Sequence, residues 1–140
     1  MIYGQVQVQT PNQQLVFSLY DEIPEPDEIG LKIIGRQTLS DGSDITLYQT
    51  PSGIYVVTLY NTSSEVIWGI SDDPVEALDT AMVNMFGSWS TYHFGVLEDL
   101  LKCDEDAKME AEKVLKEYKE FKEAFYKLQE VAVKAVRGEA

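Results

Sequence analysis

Apolar and polar positions alternate through the first 70 residues of this chain and recur at helical spacing after that, so the architecture changes once, near Ser71. Ile2, Val6 and Val8 alternate with Tyr3, Gln5 and Gln7. Thr10-Pro11-Asn12-Gln13 then supplies a turn into Leu15 to Tyr20, which predicts a hairpin. Strand-like runs resume over Ile29 to Leu39, Ile45 to Thr50, Ile54 to Tyr60 and Glu65 to Ile70. They are broken at Asp41-Gly42-Ser43, Pro51-Ser52-Gly53 and Asn61-Thr62-Ser63-Ser64, connections short enough to join antiparallel neighbours. The run from Ile54 to Tyr60 is apolar or aromatic on both faces, the pattern of a central strand covered on both sides. Between the second and third runs, Asp21 to Glu28 holds two prolines and five carboxylates, so neither a helix nor an inner strand forms there and a solvated loop is expected.

Helix signals begin at Ser71-Asp72-Asp73-Pro74-Val75-Glu76. Asp73 is placed to cap, Pro74 suits the first helical position, and Glu76 stands three residues after the cap, as in a capping box. Val75, Leu78, Met82 and Met85 follow at helical spacing, with Gly87 as the stop; Val96, Leu97, Leu100 and Leu101 predict a short second helix ending near Cys103. From Asp104 to about Val136 no proline or glycine interrupts, giving on the order of 50 Å of helix. Along it Ala107, Ala111, Val114, Tyr118, Phe121, Phe125, Leu128, Ala132 and Ala135 recur in alternating threes and fours, while Glu112 with Lys116, Glu123 with Lys127 and Glu130 with Lys134 are set at the favourable four-residue spacing. Leu115, Val131 and Val136 widen the apolar face towards that of a helix packed on a sheet.

The expected fold is therefore α+β: an antiparallel meander of five or six strands (1–70), two short helices (71–103) and a long amphipathic C-terminal helix (104–137), in one domain spanning 1–140. With 44% hydrophobic and 25% charged residues in 140 positions, the chain has the composition of a globular domain with a real core. A strand covers only about 17–20 Å, so the long helix is expected to overhang its own sheet. The region of Tyr118, Phe121, Phe125 and Leu128 is the candidate for helix packing or for a two-fold dimer.

Charge changes the picture most. The first 101 residues carry 14 acids against two bases, Lys32 and Arg36, a formal −12, whereas the last 39 carry ten acids and nine bases. A field of that sign repels nucleic acid and anionic membrane and attracts cationic partners. In a six-stranded meander the turns alternate between the two ends of the sheet. That puts Asp21, Glu22, Glu25, Asp27 and Glu28 on one rim with Asp72, Asp73 and Glu76, and leaves Asp41, Asp44 and Glu65 at the other end. The rim suggests docking to a basic partner surface, and nucleic-acid-handling proteins are the largest class of such surfaces. The leading expectation is an acidic interaction protein that binds such a surface, of which a DNA or RNA mimic blocking a nucleic-acid-processing or defence complex is one specific form. The chief alternative is a dimeric scaffold, antitoxin-like or accessory subunit acting through the long helix.

Catalytic and metal motifs are missing from the sequence. There is no glycine-rich phosphate loop, no pair of histidines at metal-ligand spacing, no nucleophile elbow and no cysteine cluster. His93 is the one histidine; with Trp89 and Tyr92 it marks a second alternative, a small-ligand pocket or enzyme site, against the plainer reading of a packing residue. Cys103 is a single thiol between Lys102 and Asp104, whose charges oppose each other, and reads as inert. Asp41-Gly42-Ser43-Asp44 lacks the regular acid positions of a calcium loop, and acids at 72–73 are expected in a first helical turn for structural reasons. The expectation is a non-enzymatic protein with no cofactor and no metal. The single cysteine, the lack of a basic-then-apolar leader and the lack of a membrane-length apolar run point to the cytoplasm.

Overall fold

A computed structural model describes residues 1–85 and 105–138. The fold is α+β with antiparallel sheets and a long C-terminal helix. Strands β1 (Gln5–Gln9) and β2 (Gln14–Ser18) form a two-stranded hairpin; β3 (Lys32–Thr38), β4 (Asp44–Gln49), β5 (Tyr55–Asn61) and β6 (Ser64–Ser71) form a four-stranded meander in that order. Helix α1 covers residues 74–85 and α2 covers Glu105–Val136. The short helix expected over Val96 to Leu101 lies outside the described residues.

The meander has two apolar faces because its central strands do. On β4, Ile45 and Leu47 point to one side and Tyr48 to the other; on β5, Val57 and Val56 divide in the same way. The first side is covered by the helices, through Ala77, Leu78 and Ala81 of α1 and Ala124, Phe125, Leu128 and Ala132 of α2. The second side is covered by the hairpin, whose inward residues Val6, Val8 and Phe17 meet Tyr48, Val56, Ile67 and Ile70. The protein is thus three layers: hairpin, sheet, helices.

The expected single meander of five or six strands does not form. The hairpin does not continue the sheet as its first two strands. Residues 19–31 contain Pro24 and Pro26 and cannot carry β2 directly into pairing with β3. Tyr20 instead takes a left-handed backbone (φ 71°) and the chain turns along the outer side of β6: Tyr20 N–H donates to Ile67 O at 2.8 Å, Ile67 N–H to Asp21 O at 3.0 Å and Ile23 N–H to Glu65 O at 2.8 Å. The chain also enters the hairpin along this edge, with Tyr3 N–H on Ile70 O at 2.9 Å. The outer side of β6 is closed at both ends, and the hairpin is free to fold over the sheet face.

Both outer strands of the meander carry a bulge next to a glycine. The register of β3 shifts between Ile33 and Gly35, and that of β6 shifts where Val57 pairs Gly69 and Thr58 pairs Ile67, leaving Trp68 unpaired. Each glycine faces a helix. A Cβ on Gly69 would stand 2.3 Å from the Ala77 carbonyl oxygen and 3.1 Å from the Ala81 Cβ, whereas one on Gly35 would meet Leu128 Cδ2 at 3.1 Å and Val131 Cγ1 at 3.3 Å. At Gly69 helix α1 therefore sits closer to the sheet than a side chain would allow, and at Gly35 helix α2 leaves room for one only if Leu128 and Val131 shift. They are tied to each other by Gln129 Nε2, which donates to Asp79 Oδ1 at 2.6 Å.

Helix α2 runs antiparallel to β3. Glu120 accepts hydrogen bonds from the Ser40 amide and, at 2.8 Å, from Ser40 Oγ at one end of the sheet, while Val131 and Ala135 lie beside Lys32 and Ile34 at the other. The residues before Glu117 run on past the sheet for about 18 Å at helical rise. Met109 (67% exposed) and Leu115 (51%) lie on this extension.

Because the obstruction at Gly69 is backbone and that at Gly35 is the ends of side chains, the two substitutions should differ. Gly69→Ala is expected to cost about 3 kcal/mol and Gly35→Ala about 1, read as the difference in urea midpoints at unchanged slope. Equal costs would show that the helices move away from the sheet more easily than this packing implies.

Candidate functional site

The acidic segment begins where β2 ends. Asp21 Oδ2 accepts the Ser18 N–H at 2.7 Å and closes the turn through Tyr20, Glu22 pairs across to Val66, and Ile23 is buried against the hairpin-side core. The chain then crosses that side of the sheet to Leu31, which is also buried there, before β3 starts. Ile23, Ile29 and Leu31 anchor the crossing, and Asp21, Glu22, Glu25, Asp27 and Glu28 are all left exposed. Glu25 has φ 50°, an uncommon backbone for a residue with a side chain, and the Glu28 N–H donates to its carbonyl at 3.0 Å. Their carboxyls are neighbours as a result. Hydrogen bonding to Glu25, and then its charge, raise the pKa of Glu28 above the ordinary carboxylate value.

Asp72, Asp73 and Glu76 are arranged differently. Asp73 caps α1, with Oδ1 accepting Val75 N–H at 2.8 Å, and Pro74 occupies the first helical position. Glu76 does not reach back to the Asp73 amide. Its carboxylate accepts from Ser71 Oγ at 3.0 Å, and the same Oγ accepts the Asp73 N–H at 3.1 Å, so the box is closed through serine. Asp72 and Glu76 also bracket the amine of Met1, at 2.5 and 2.6 Å, and Tyr3 Oη donates to Asp72 at 3.3 Å. The structure therefore brings the eight carboxylates into two groups. Glu22 is opposite Val66 and Met1–Ile2 is opposite Ser71–Asp72, about 17 Å apart along β6 at the rise of an antiparallel strand.

Of the helix residues singled out from sequence, Phe125 and Leu128 are fully buried in the chain's own core. Phe121 packs on that core, stacked at a tilt on Phe125 with ring centroids 5.2 Å apart, and Tyr118 is half-buried. Trp89, Tyr92, His93 and Cys103 lie outside the described residues. Among the described residues, the only ion pairs are those of the Met1 amine. The three Glu–Lys pairs of α2 stay apart in solvent, where exposed pairs contribute little.

Sequence reading missed a polar band on the hairpin side of the sheet. Arg36 of β3 donates from Nε to Thr46 Oγ1 at 3.0 Å and from Nη2 to Tyr48 Oη at 3.4 Å, and Thr58 donates to Glu65 at 2.9 Å. Burial, followed by hydrogen bonding to Glu65, pushes the Tyr48 phenol well above its usual range, against a smaller opposing effect of Arg36. A phenol held protonated in this way is no base at neutral pH. The band links Arg36 and Glu65, on opposite edge strands, through buried hydroxyls, and its role is to satisfy polar groups under the hairpin. Only the pairing register reveals it, since Arg36, Thr46 and Thr58 are far apart in sequence. Among the described residues, no three histidine, cysteine or carboxylate side chains are placed to hold a metal, and no helix is long and apolar enough to cross a membrane.

The cluster at Met1 should shape the pH dependence of stability. Hydrogen bonds to Asp72 and Glu76 raise the amine above its ordinary value, so its contribution is complete below about pH 8 and lost as pH climbs through the raised value. The bond from the amine lowers Asp72, so that contribution is complete above about pH 4 and lost as pH falls through the lowered value. The stability difference between wild type and Asp72→Asn, from denaturation at each pH, is expected to be largest between these limits and to shrink on both sides. A difference independent of pH would mean that the cluster does not form in solution.

Comparison of the chain with family models, curated proteins and solved structures finds no match.

Proposed function

We propose that this chain is a non-enzymatic interaction protein that docks the acidic segment Asp21–Glu28 onto a basic surface of a partner protein. The supporting observation is a run of five exposed carboxylates on one crossing segment with no base paired to it among the described residues. The acidic segment crosses the hairpin side, while the exposed lysines of α2, among them Lys119, Lys122 and Lys127, belong to the layer on the opposite side. No lysine or arginine among the described residues pairs with the five carboxylates. Glu25 and Glu28 are hydrogen-bonded neighbours that repel when both are charged, and a lysine or arginine arriving between them would relieve that repulsion.

Proteins that handle nucleic acid present the strongest basic surfaces, and occupying one competitively is the mode of action this surface fits best. Asp72 and Glu76 contribute less to such docking than their charge suggests, because the Met1 amine already neutralises part of it.

The test uses a basic partner captured from the native host and purified. The chain should displace labelled duplex DNA from that partner, with affinity falling steeply from about 50 to 200 mM salt. Replacing Asp21, Glu22, Glu25, Asp27 and Glu28 by their amides should weaken binding about tenfold or more, the scale of 1.4 kcal/mol. Salt-insensitive binding, or an amide variant that binds as wild type, would overturn the reading.

Self-association through α2 is a second reading, supported by exposed Met109 and Leu115 on the extension beyond the sheet. It cannot use Phe125 or Leu128 without opening the core. Met109→Glu with Leu115→Glu is expected to convert a dimer to a monomer in sedimentation equilibrium; a wild-type chain that is monomeric at high concentration removes this option.

A further inference from the structure

The two outer strands of the meander end up in different situations. β6 is closed by residues 1–3 and 20–23, whereas β3 has no strand on its outer side among the described residues. Outward amides and carbonyls of an open edge strand are a template for one more strand.

Charge marks that edge. Lys32 and Arg36, the only bases in the first 101 residues, both lie on β3, and both are exposed. They point to opposite faces. Lys32 pairs with Gln49 on the helix side, and Arg36 pairs with Thr46 on the hairpin side, where it uses two of its five donors on Thr46 and Tyr48. Ile33 beside Lys32 is 43% exposed. Between this end of β3 and the last turns of α2 lies a groove of about 520 Å³, lined by Lys32, Ile34, Gln49, Tyr55, Val131 and Lys134. Its walls are apolar at Ile34 and Val131, cationic at the two lysines, and polar where Gln49 Nε2 donates to Tyr55 Oη at 3.2 Å. On a chain of formal charge −13, three cations border one open strand.

We propose that β3 is a docking edge for an extended acidic segment of a partner protein, which adds to the sheet as a fifth strand and places a carboxylate in the groove between Lys32 and Lys134. In strand addition the main chain supplies affinity and alternate side chains supply specificity. Here each face of the incoming strand meets a cation, Lys32 with Lys134 on one side and Arg36 on the other, so acids at alternating and at neighbouring positions both find partners. The same cations select against other occupants. A basic strand is repelled, and pairing of β3 with β3 of a second copy brings Lys32 and Arg36 of both chains to one seam. This surface is separate from the acidic segment, and its partner carries the opposite charge.

The experiment uses the full chain and a fluorescein-labelled ten-residue peptide alternating glutamate with valine. Binding is expected by anisotropy, with added protection from hydrogen exchange confined to residues 32–38 and the pairing side of the peptide. Lys32→Glu with Lys134→Glu should weaken it at least tenfold, and the same peptide N-methylated at alternate residues, which cannot form the ladder, should not bind wild type. That second comparison decides the matter should the double variant fail to fold. Three outcomes overturn the proposal: no binding of the glutamate peptide at millimolar concentration, equal binding of its N-methylated or lysine counterpart, or protection of 32–38 that rises with chain concentration alone, which would make a second copy the occupant. None of these bears on the acidic segment, whose amide variants are expected to bind the peptide at least as well as wild type.

Discussion

The structure depends on a sheet whose two central strands are apolar on both faces. Ile45, Leu47 and Val57 have to be covered on one side, Tyr48 and Val56 on the other, and a four-stranded sheet cannot cover itself. The helices take the first side and the hairpin takes the second. To reach its side, the chain must pass around an outer strand twice, once before Gln5 and once after Ser18, and both passages run along β6. Closing β6 is thus a by-product of covering the second face. The open state of β3 has the same origin, because the chain reaches β3 only after crossing the hairpin side and has no further segment to lay beside it before β4.

Covering both faces also fixes where charge can go. The crossing segment is held by Ile23, Ile29 and Leu31, and every residue between these anchors that cannot be buried is turned outward, which leaves Glu25, Asp27 and Glu28 exposed together. On the other side, the helices approach the sheet closely at Gly35 and Gly69, and the lysines of α2 occupy the remaining outer surface. The crossing segment holds acids without bases, whereas α2 carries its lysines among exposed glutamates of its own, Glu112, Glu117, Glu123 and Glu130. Among the described residues the lysines of α2 form no ion pair with that segment.

Much of this was legible from residue order, and the gaps have physical reasons. Alternation located β4, β5 and β6 to within a residue or two and identified β5 as central, because period two reports directly on which face each residue occupies. The cap at Asp73 and the seam of α2 from Tyr118 to Ala135 were legible for the same local reason. Period two does not say which strands share a sheet, and so the hairpin was expected to continue the meander. Its departure is decided by the long-range pairing of Tyr20 and Ile23 with β6. The bulges have a sequence signal: Gly35 follows Ile33-Ile34 and Gly69 stands between Trp68 and Ile70, and a glycine within a strand marks a close backbone approach. At the candidate site, the solvated acidic segment was visible in its prolines and carboxylates, but the neutralisation of Asp72 and Glu76 by an amine more than seventy positions away was not. Neither was the meeting of Lys32 with Lys134, which needs the direction of α2 across the sheet.

Opposite charges on two separate surfaces act over different distances. At physiological salt the screening length is about 8 Å, so a strand in contact with the cations at β3 would feel them more strongly than it feels the acids elsewhere on the molecule. At low salt the balance reverses, because the net charge of −13 reaches further than three local cations can offset. If both proposed sites act, moderate salt should favour acidic strands at β3 while weakening the hold of the acidic segment on a basic surface. The two proposed sites would then respond to ionic strength with opposite sign, because one is set against the net charge of the molecule and the other works with it.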